Sequence, residues 1–507
     1  MKILVVENPR PLVMEHVNDV ANAPLSASLN SGYALAVARR AGWETAYLDL
    51  GASRETAETL AGRIVLEDAD LILLHWVYSW GHEDLIRQLI ALLKKNHGAA
   101  VGAFGLFPTL AHKRLSDYVP QLDFILLGEF EVTLQEMLFK IPKQSAITSL
   151  PGLYNRSGDF VGRVPLSDLS QLPIPDDVGA NCRYPTMNIA ASRGCFGDCS
   201  FCFINRFYGC RRRRERSSAS FAHELETRLK RRAVESIYLI DPTFVGHDEN
   251  RTAHARQISA ILKGSSLPFG FETRVDTLDE GLIEELAENG ASSVFLGIES
   301  GSEAALQRLN KRITRAQIIR AVRAVQNSGI MLSVGFIMFE PDSTLDELFE
   351  NYDLLEELGL LAHHDQTINM LYHSQIVLYG SKSWQVFAAT GRLLLDERLP
   401  FEARYQFKDR SVELVCNAMR RLSYDYFTRL DHLHRQPEVA EHEQIAGRHL
   451  HHPPGVDGKL LNRILKEAFL AFITNAGSCD TQRFNELEQI HSHRLTSVLG
   501  GAPQALQ

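Results

Sequence analysis

The chain has no apolar run approaching the roughly 18–20 residues needed to cross a bilayer; its longest, around Asp70–Leu74, reads as a buried strand. It has no excess of basic charge. Lys and Arg number 53 against 62 Asp and Glu, a net −9, which excludes a general affinity for nucleic acid or anionic membrane. It has no cleavable leader pattern: Met1–Pro9 is apolar over too few residues and carries no small-residue cleavage site. Cysteine is scarce and uneven, seven in all with four between Cys195 and Cys210, so a disulfide framework is excluded. A reducing, cytoplasmic compartment and a metal or redox site are the expectation. With 45% hydrophobic and 23% charged residues, the composition also excludes a disordered chain, a fibrous repeat and a multi-span membrane protein.

What is present is strand–helix alternation over a length that suits about three domains. In residues 1–140, short apolar runs at Lys2–Val6, Glu44–Leu48, Asp70–His75, Ala99–Phe104 and Asp123–Leu127 alternate with amphipathic stretches. This predicts a Rossmann-like, five-stranded parallel sheet that binds a ligand at its carboxyl edge. Residues 141–185 read as a wrapping linker. From Thr186 the rhythm resumes, with strands expected at Met187–Ala191, Ser236–Ile240, Pro268–Thr273, Ser293–Ile298, Leu332–Met338 and Thr367–Leu371. Six such units in residues 186–390 predict a partial (β/α)6 barrel, with chemistry at the strand ends. Residues 391–507 read as mostly helical, without a strand signal beyond Phe401.

Directly after the first barrel strand stands Gly194-Cys195-Phe-Gly-Asp-Cys199-Ser-Phe201-Cys202. Three thiols on one loop suit zinc or an iron–sulfur cluster. Structural zinc usually takes four protein ligands, and the local set stops at three unless Cys210 joins. A cubane held by three cysteines leaves one iron open to a substrate or cofactor. The competing reading is a zinc knuckle or buried thiols. For Cys182, Cys210, Cys416 and Cys479, buried free thiols are the expectation.

Cys-x3-Cys-x2-Cys with an aromatic before the last cysteine resembles the signature of radical S-adenosylmethionine (SAM) enzymes. Gly297–Gly301 and Phe336–Thr344 are similar to later stretches of that superfamily. Gly105–Thr109 and Leu127–Thr133 resemble the cobalamin-binding domain that precedes the barrel in one branch of it. The resemblance implies a [4Fe–4S] cluster on Cys195, Cys199 and Cys202, with SAM chelating the open iron. It places Phe201, Asp241, Arg274 and Glu299 against SAM, although Asp241-Pro-Thr-Phe244 stands where the family has Gly-Gly-Glu-Pro. It places Gly105, Phe107, Pro108, Thr109, Gly128 and Glu129 against cobalamin. Glu7–Leu12 departs from the Asp-x-His-x-x-Gly pattern, which implies cobalt without an imidazole beneath it.

The resemblance further implies a methyltransferase acting on an unactivated carbon or phosphorus of a small-molecule or peptide substrate, served by an electron donor such as flavodoxin or ferredoxin. A cobalamin-binding radical cyclase or ring-rearrangement enzyme is the alternative within the superfamily, and a cobalamin sensor or scaffold the alternative outside it. Trp76, with His75, Tyr78 and Trp80, either faces a planar ligand or packs as interdomain core. Arg211–Arg214 with Arg216 reads first as a solvated helix start, and second as a patch for an acidic donor protein. His432, His434, His442, His449, His451 and His452 fit no compact ligand set and read as solvated loop.

Overall fold

The structure, a computed structural model, describes residues 1–9, 27–51, 53, 55–77, 83–141, 150–156, 160–178, 184–395, 401–434, 456–477 and 481–499. Arg10–Leu12, Tyr78, Trp80, His82, Cys182, Cys479 and the four histidines from His442 to His452 lie outside the described residues.

Residues rich in Ile, Leu and Val, buried on both faces, make the central strands of the first sheet, as parallel strands require. In chain order it is built from β1 (Lys2–Glu7), α1 (Leu29–Arg40), β2 (Glu44–Asp49), α2 (Ala57–Val65), β3 (Leu71–His75), α3 (Glu83–Asn96), β4 (Ala100–Phe104), α4 (Leu106–Tyr118), β5 (Phe124–Leu126), α5 (Glu131–Lys140) and β6 (Leu153–Tyr154). The strand order is β2-β1-β3-β4-β5-β6, with the first five parallel and β6 antiparallel to β5. The order reverses between β1 and β3, and such a switch point opens a crevice at the carboxyl ends. There Glu7 stands opposite His75, and His75 opposite Phe104. The stretch expected to be only a linker supplies β6. Its Leu153 is buried, and the antiparallel rungs cover the sheet edge.

The second sheet has the order β13-β12-β11-β10-β7. Its elements are β7 (Thr186–Ile189), then a short ladder of β8 (Ser192–Arg193) and β9 (Arg214–Glu215) around α6 (Ile204–Phe207), then α7 (Ser218–Arg231), β10 (Ser236–Leu239), α8 (Glu249–Ser265), β11 (Phe269–Arg274), α9 (Glu280–Glu288), β12 (Ala291–Glu299), α10 (Glu303–Arg308), α11 (Arg315–Ser328) and β13 (Met331–Phe336). Asn188 pairs with Tyr238, and Tyr238 with Gly270. The two-residue alternation of strands then puts Tyr238, Gly270, Glu272 and Arg274 on one face, while Ile237, Leu239, Phe269 and Phe271 are buried on the other.

Five strands form this sheet, and the expected sixth does not extend. Thr367–Leu371 lies inside a helix, α13 (His364–Tyr372), which follows α12 (Leu345–Glu357). What remains of a sixth strand is one parallel bridge between Phe339 and Ser374. Thr367, Ile368 and Leu371 are buried at helical spacing, which a short apolar run does not distinguish from a strand. Beyond it come β14 (Val377–Leu378), α14 (Lys382–Ala389), β15 (Leu393–Leu394) and β16 (Glu402–Tyr405), a three-stranded sheet whose last strand lies past Phe401, where none was expected. The helices α15 (Arg410–His434), α16 (Gly458–Asn475) and α17 (Thr481–Leu499) complete the described chain.

Two compact units result. One comprises residues 1–295, 328–331 and 377–404, the other 296–327, 332–376 and 405–507. The second has an aromatic core in which Tyr352 stacks on Phe469 at 5.6 Å and Phe472 meets Phe484 at 5.6 Å. Among the described residues no helix is long and apolar enough to cross a membrane.

Candidate active site

In the first unit, β8 pairs antiparallel with β9, Ser192 opposite Glu215 and Arg193 opposite Arg214. These two rungs close residues 194–213 into a loop carrying Cys195, Cys199, Cys202 and Cys210, all half-buried and outside any disulfide. Gly194 sits at the neck with φ 81°, and a Cβ there would run into the carbonyl oxygen of Arg212. Only glycine fits. Inside the loop, the Gly197 amide donates to the Cys195 sulfur at 3.2 Å, and Asn205 Nδ2 donates to the Gly197 carbonyl at 2.7 Å. Phe201 is half-buried on the same loop.

Arg274, at the end of β11, directs Nη1 to the Cys199 sulfur at 3.6 Å. Its Nε and Nη2 donate to the two oxygens of Asp276 at 2.8 and 3.0 Å, and its guanidinium lies 5.4 Å from the Phe196 ring. Burial works against its charge, but Asp276 and the two thiols Cys199 and Cys195 outweigh burial and hold it cationic. On the loop's outer side, Asp198 pairs with Lys382 at 2.5 Å and with Arg211 at 3.6 Å.

Asp241 stands just past β10, as expected. It is 0% exposed; Oδ2 accepts from the Ala191 amide at 3.0 Å and Oδ1 from the Ser192 hydroxyl. Burial pushes its carboxyl up, opposed by the nearby Arg213 and by these hydrogen bonds. It positions the entry to the cysteine loop. The arginine run is not the solvated helix start expected. Arg213, Arg214 and Arg216 are buried, paired with Glu215, Glu129 and Glu224 respectively, and only its first members lie in solvent. A charge run is indistinguishable from a solvated face until its carboxylate partners, distant in sequence, are known.

Among the described residues, no three Cys, His, Asp or Glu side chains close on a single point as the ligands of one ion do. A cubane gives each thiolate a different iron, so its cysteines stand farther apart than ligands of one zinc ion. Three thiols on one loop, with an arginine hydrogen-bonded to one of them, fit an iron–sulfur cluster better than zinc.

The carboxyl edge of the first sheet is tied to the same loop. Glu129, one residue past Gly128, takes Arg214 through both oxygens at 2.8 Å each, and Arg193 at 3.4 Å. Arg193 also donates to Glu131 at 2.6 Å and lies 5.0 Å from the Tyr33 ring. Burial opposes the charge of Arg193, and Glu131, Tyr33 and Glu129 outweigh it. Glu129, expected against a cofactor, is thus committed to two guanidiniums. The Gly128 amide donates to Thr109 Oγ1 at 3.0 Å, and that hydroxyl donates to the Gly105 carbonyl at 2.6 Å, which joins the two resembling segments. Gly105 has φ 115°, and a Cβ there would lie 2.6 Å from the Trp76 carbonyl oxygen.

Of the two readings of Trp76, packing is what is seen. It is 1% exposed, its ring 4.8 Å from Phe107, which meets Phe401 edge-on at 4.5 Å, with Pro108 buried beside them in sequence. Among the described residues, however, its Nε1 has no hydrogen-bond partner, nor have Oδ1 and Nδ2 of Asn8, which is also buried. Asn8 follows β1 and Trp76 follows β3, the two strands that flank the switch point. Orphaned donors and acceptors there fit a polar-rimmed planar cofactor such as cobalamin. Asn8 carried no signal in the sequence beyond its place after a strand.

In the second unit, Glu299 ends β12 in a left-handed conformation, φ 66°, and pairs with Lys311 at 2.7 Å; both are buried. Such backbone strain in a non-glycine residue clusters at functional sites. A Cβ at Gly297 would lie 2.7 Å from Lys311 Nζ and 2.8 Å from Glu299 Oε1. Lys311 was not foreseen, because nothing local marks a lysine twelve residues on as the partner.

A partial barrel whose first strand runs into a three-cysteine loop, preceded by a switch-point sheet, defines an α/β protein. Residues 189–355 match the radical SAM superfamily. Over 98% of the chain and 79% of the other, the fold matches the cobalamin-dependent S-adenosylmethionine radical enzyme OxsB, with TM-score 0.74 and 18% identity. It matches the radical S-adenosylmethionine methyltransferase TsrM of Kitasatospora setae over 98% and 100%, with TM-score 0.65 and 16% identity.

By sequence it is 27% identical to an uncharacterized methyltransferase of Pyrococcus horikoshii over 54% of this chain and 60% of that one. It is 29% identical to the 4′-phospho-dehydrooxetanocin synthase of Priestia megaterium over 53% and 39%. The chain spans less than two thirds of the length of these two relatives. A 23% identity to an anaerobic magnesium-protoporphyrin IX monomethyl ester cyclase of Synechocystis extends over 76% of this chain and 77% of that one.

Proposed function

We propose that the protein is a cobalamin-dependent radical SAM methyltransferase that adds methyl to an unactivated carbon or phosphorus of a small-molecule or peptide substrate. The observation that carries this reading is the join described above: the loop with three thiols and the carboxyl edge of a switch-point sheet share one buried Glu129–Arg214–Arg193–Glu131 network. Several relatives bear methyltransferase names, which supports the same reading. In it, Cys195, Cys199 and Cys202 hold a [4Fe–4S] cluster, and Phe201, Arg274 and Glu299 meet SAM. Asn8, Trp76, Gly105, Thr109 and Gly128 border cobalamin, with Phe107 and Pro108 packed behind. The protein works in the cytoplasm and draws electrons from a small donor such as flavodoxin or ferredoxin.

When bound, the cluster with SAM supplies a hydrogen-abstracting radical and cobalamin a transferable methyl group; such cofactors carry the hard chemistry. The chain's own work is positioning. Arg274 holds positive charge against Cys199, Asp241 fixes where the cysteine loop leaves β7, and the Glu129 network sets that loop against the first sheet. No side-chain base need be indispensable.

A second reading, a radical cyclase that binds cobalamin without net methyl transfer, is favoured by one observation: the cyclase relative matches over three quarters of both chains. Product analysis with methyl-labelled SAM separates the two. The methyltransferase reading expects 5′-deoxyadenosine, S-adenosylhomocysteine and a labelled product together. Formation of 5′-deoxyadenosine with the true substrate, but without S-adenosylhomocysteine or a methylated product, would overturn it in favour of the cyclase. A reconstituted protein that bound cobalamin and never cleaved SAM would instead be a sensor or scaffold.

A further inference from the structure

The barrel face that carries Arg274 continues deeper along the strands and holds an acid, Glu272, that forms no ion pair among the described residues. Tyr238 on β10 stands opposite Gly270 on β11, and its hydroxyl donates to Glu272 Oε1 at 3.1 Å. Gly270 lets its neighbours close in: a Cβ there would strike Ser293 Oγ and come within 2.8 Å of the Tyr238 ring. That contact puts Ser293 of β12 on this face, and the alternation of the strand puts Phe295 there too. Phe295 is 40% exposed, a large apolar ring open to ligand on the inner side of a parallel barrel.

We propose that Tyr238 and Glu272 form the subsite that receives a protonated amine of the substrate, with an apolar part of the same molecule on Phe295. This rests on the enzyme reading above and deepens it by naming the substrate class. The groups around the acid support it. The tyrosine hydroxyl is its hydrogen-bond donor; the other charge acting on it is Asp241, of its own sign, while the nearest cation along its strand, Arg274, is held by Asp276 and Cys199.

A half-buried carboxylate in such surroundings needs a proton or a cation. Burial pushes the Glu272 carboxyl up to about 7, the Tyr238 hydrogen bond opposes, and Asp241 adds to the rise. In the free protein a proton serves. An arriving ammonium replaces it, making an ammonium–carboxylate pair and releasing that proton to solvent. Bond making and charge then balance with no redox step. Tyr238 keeps the carboxylate in place by donating to one oxygen and leaving the other for the ligand.

A matched pair of probes tests this on the reconstituted, cluster-bearing protein. 2-Phenylethylamine and 2-phenylethanol share a ring and a chain and differ in the cation. Dissociation constants for each are measured by ligand-observed NMR at pH 8, with and without SAM. The amine is expected to bind at least tenfold more tightly than the alcohol, and Glu272→Gln to remove that advantage. Tyr238→Phe is expected to reduce it, which keeps the test decisive if the Gln variant does not fold. Equal binding, no binding of either probe, or an advantage that survives Glu272→Gln overturns the proposal. An advantage abolished by SAM alone assigns Glu272 to the ammonium of SAM and overturns the substrate assignment. Iron and sulfide content, read on the same samples, tests the cluster reading separately, so failure of one is distinguishable from failure of the other.

Discussion

One guanidinium nitrogen of Arg274 stands 3.6 Å from the sulfur of Cys199, while the other edge of the same group is held by Asp276. The cation is therefore fixed against the thiol rather than free to swing to solvent. Positive charge and hydrogen bonds near cluster sulfurs stabilise the reduced state. Arg274→Gln is expected to lower the reduction potential of the cluster and slow SAM cleavage, with iron content unchanged. Redox-poised paramagnetic resonance reads it; an unchanged potential would place Arg274 away from the cluster.

Cysteine substitutions test the ligand set. Cys195→Ala, Cys199→Ala or Cys202→Ala should each abolish 5′-deoxyadenosine formation while cobalamin binding persists, and Cys210→Ala should do neither. Zinc without iron or sulfide in anaerobically purified protein would refute the cluster.

Glu129 leaves two guanidiniums buried if it is shortened. Removing one partner of a buried ion pair costs about 3–5 kcal/mol, and Glu129→Ala is expected in that range by urea denaturation. Glu129→Gln should cost less, because an amide still accepts from Arg214. If Glu129 touched cobalamin instead, both variants would weaken cobalamin binding and leave stability near wild type.

Cobalt should carry no protein imidazole. His75 is committed elsewhere, with Nδ1 at 2.8 Å from Glu7 Oε2 and the ring 4.8 Å from Phe104 in the core of the first sheet. The Co(II) protein should show no nitrogen splitting from an axial imidazole, and His75→Ala should not alter its resonance. A triplet splitting lost on that substitution would show that the imidazole turns to the metal.

Glu272 gives the pH dependence a sign. Its folded pKa, about 7, lies above the ordinary carboxylate value of 4.5, so the protonated acid is what the fold favours. Its contribution is fully present below pH 4.5 and is lost as pH rises through about 7. Glu272→Gln should therefore gain stability relative to wild type on going from pH 5 to pH 8, by about 2 kcal/mol at most. Thermal unfolding at the two pH values measures it, and an unchanged difference would mean that the carboxyl is solvated.

The parts legible in the sequence are those whose cause is local. The β-strand runs Ile3–Val6 and Leu71–Leu74 announce a two-sided parallel sheet by being apolar throughout, and the spacing of Cys195, Cys199 and Cys202 announces three thiols on one loop. Thr344 and Glu347 form a capping box three residues apart at the start of α12, another signal of local cause. What stayed hidden depends on partners far along the chain. Glu129 meets Arg214 at a separation of 85 residues, and Asp241 meets Ser192 at 49. No periodicity encodes either pairing. The segment Thr367–Leu371 failed for another reason: five residues of mixed apolar character satisfy both a strand and one and a half turns of helix.

The two-rung ladder at Ser192–Arg193 and Arg214–Glu215 separates what can vary in this protein from what cannot. Because both ends of the cysteine loop leave from one clasp, the path beyond Cys202 can lengthen without moving the thiols. Doubling a flexible loop costs only about 0.6 kcal/mol in closure entropy. Among descendants of such a chain, insertions and deletions should gather between Phe203 and Arg212, while the eight residues from Cys195 to Cys202 keep their length.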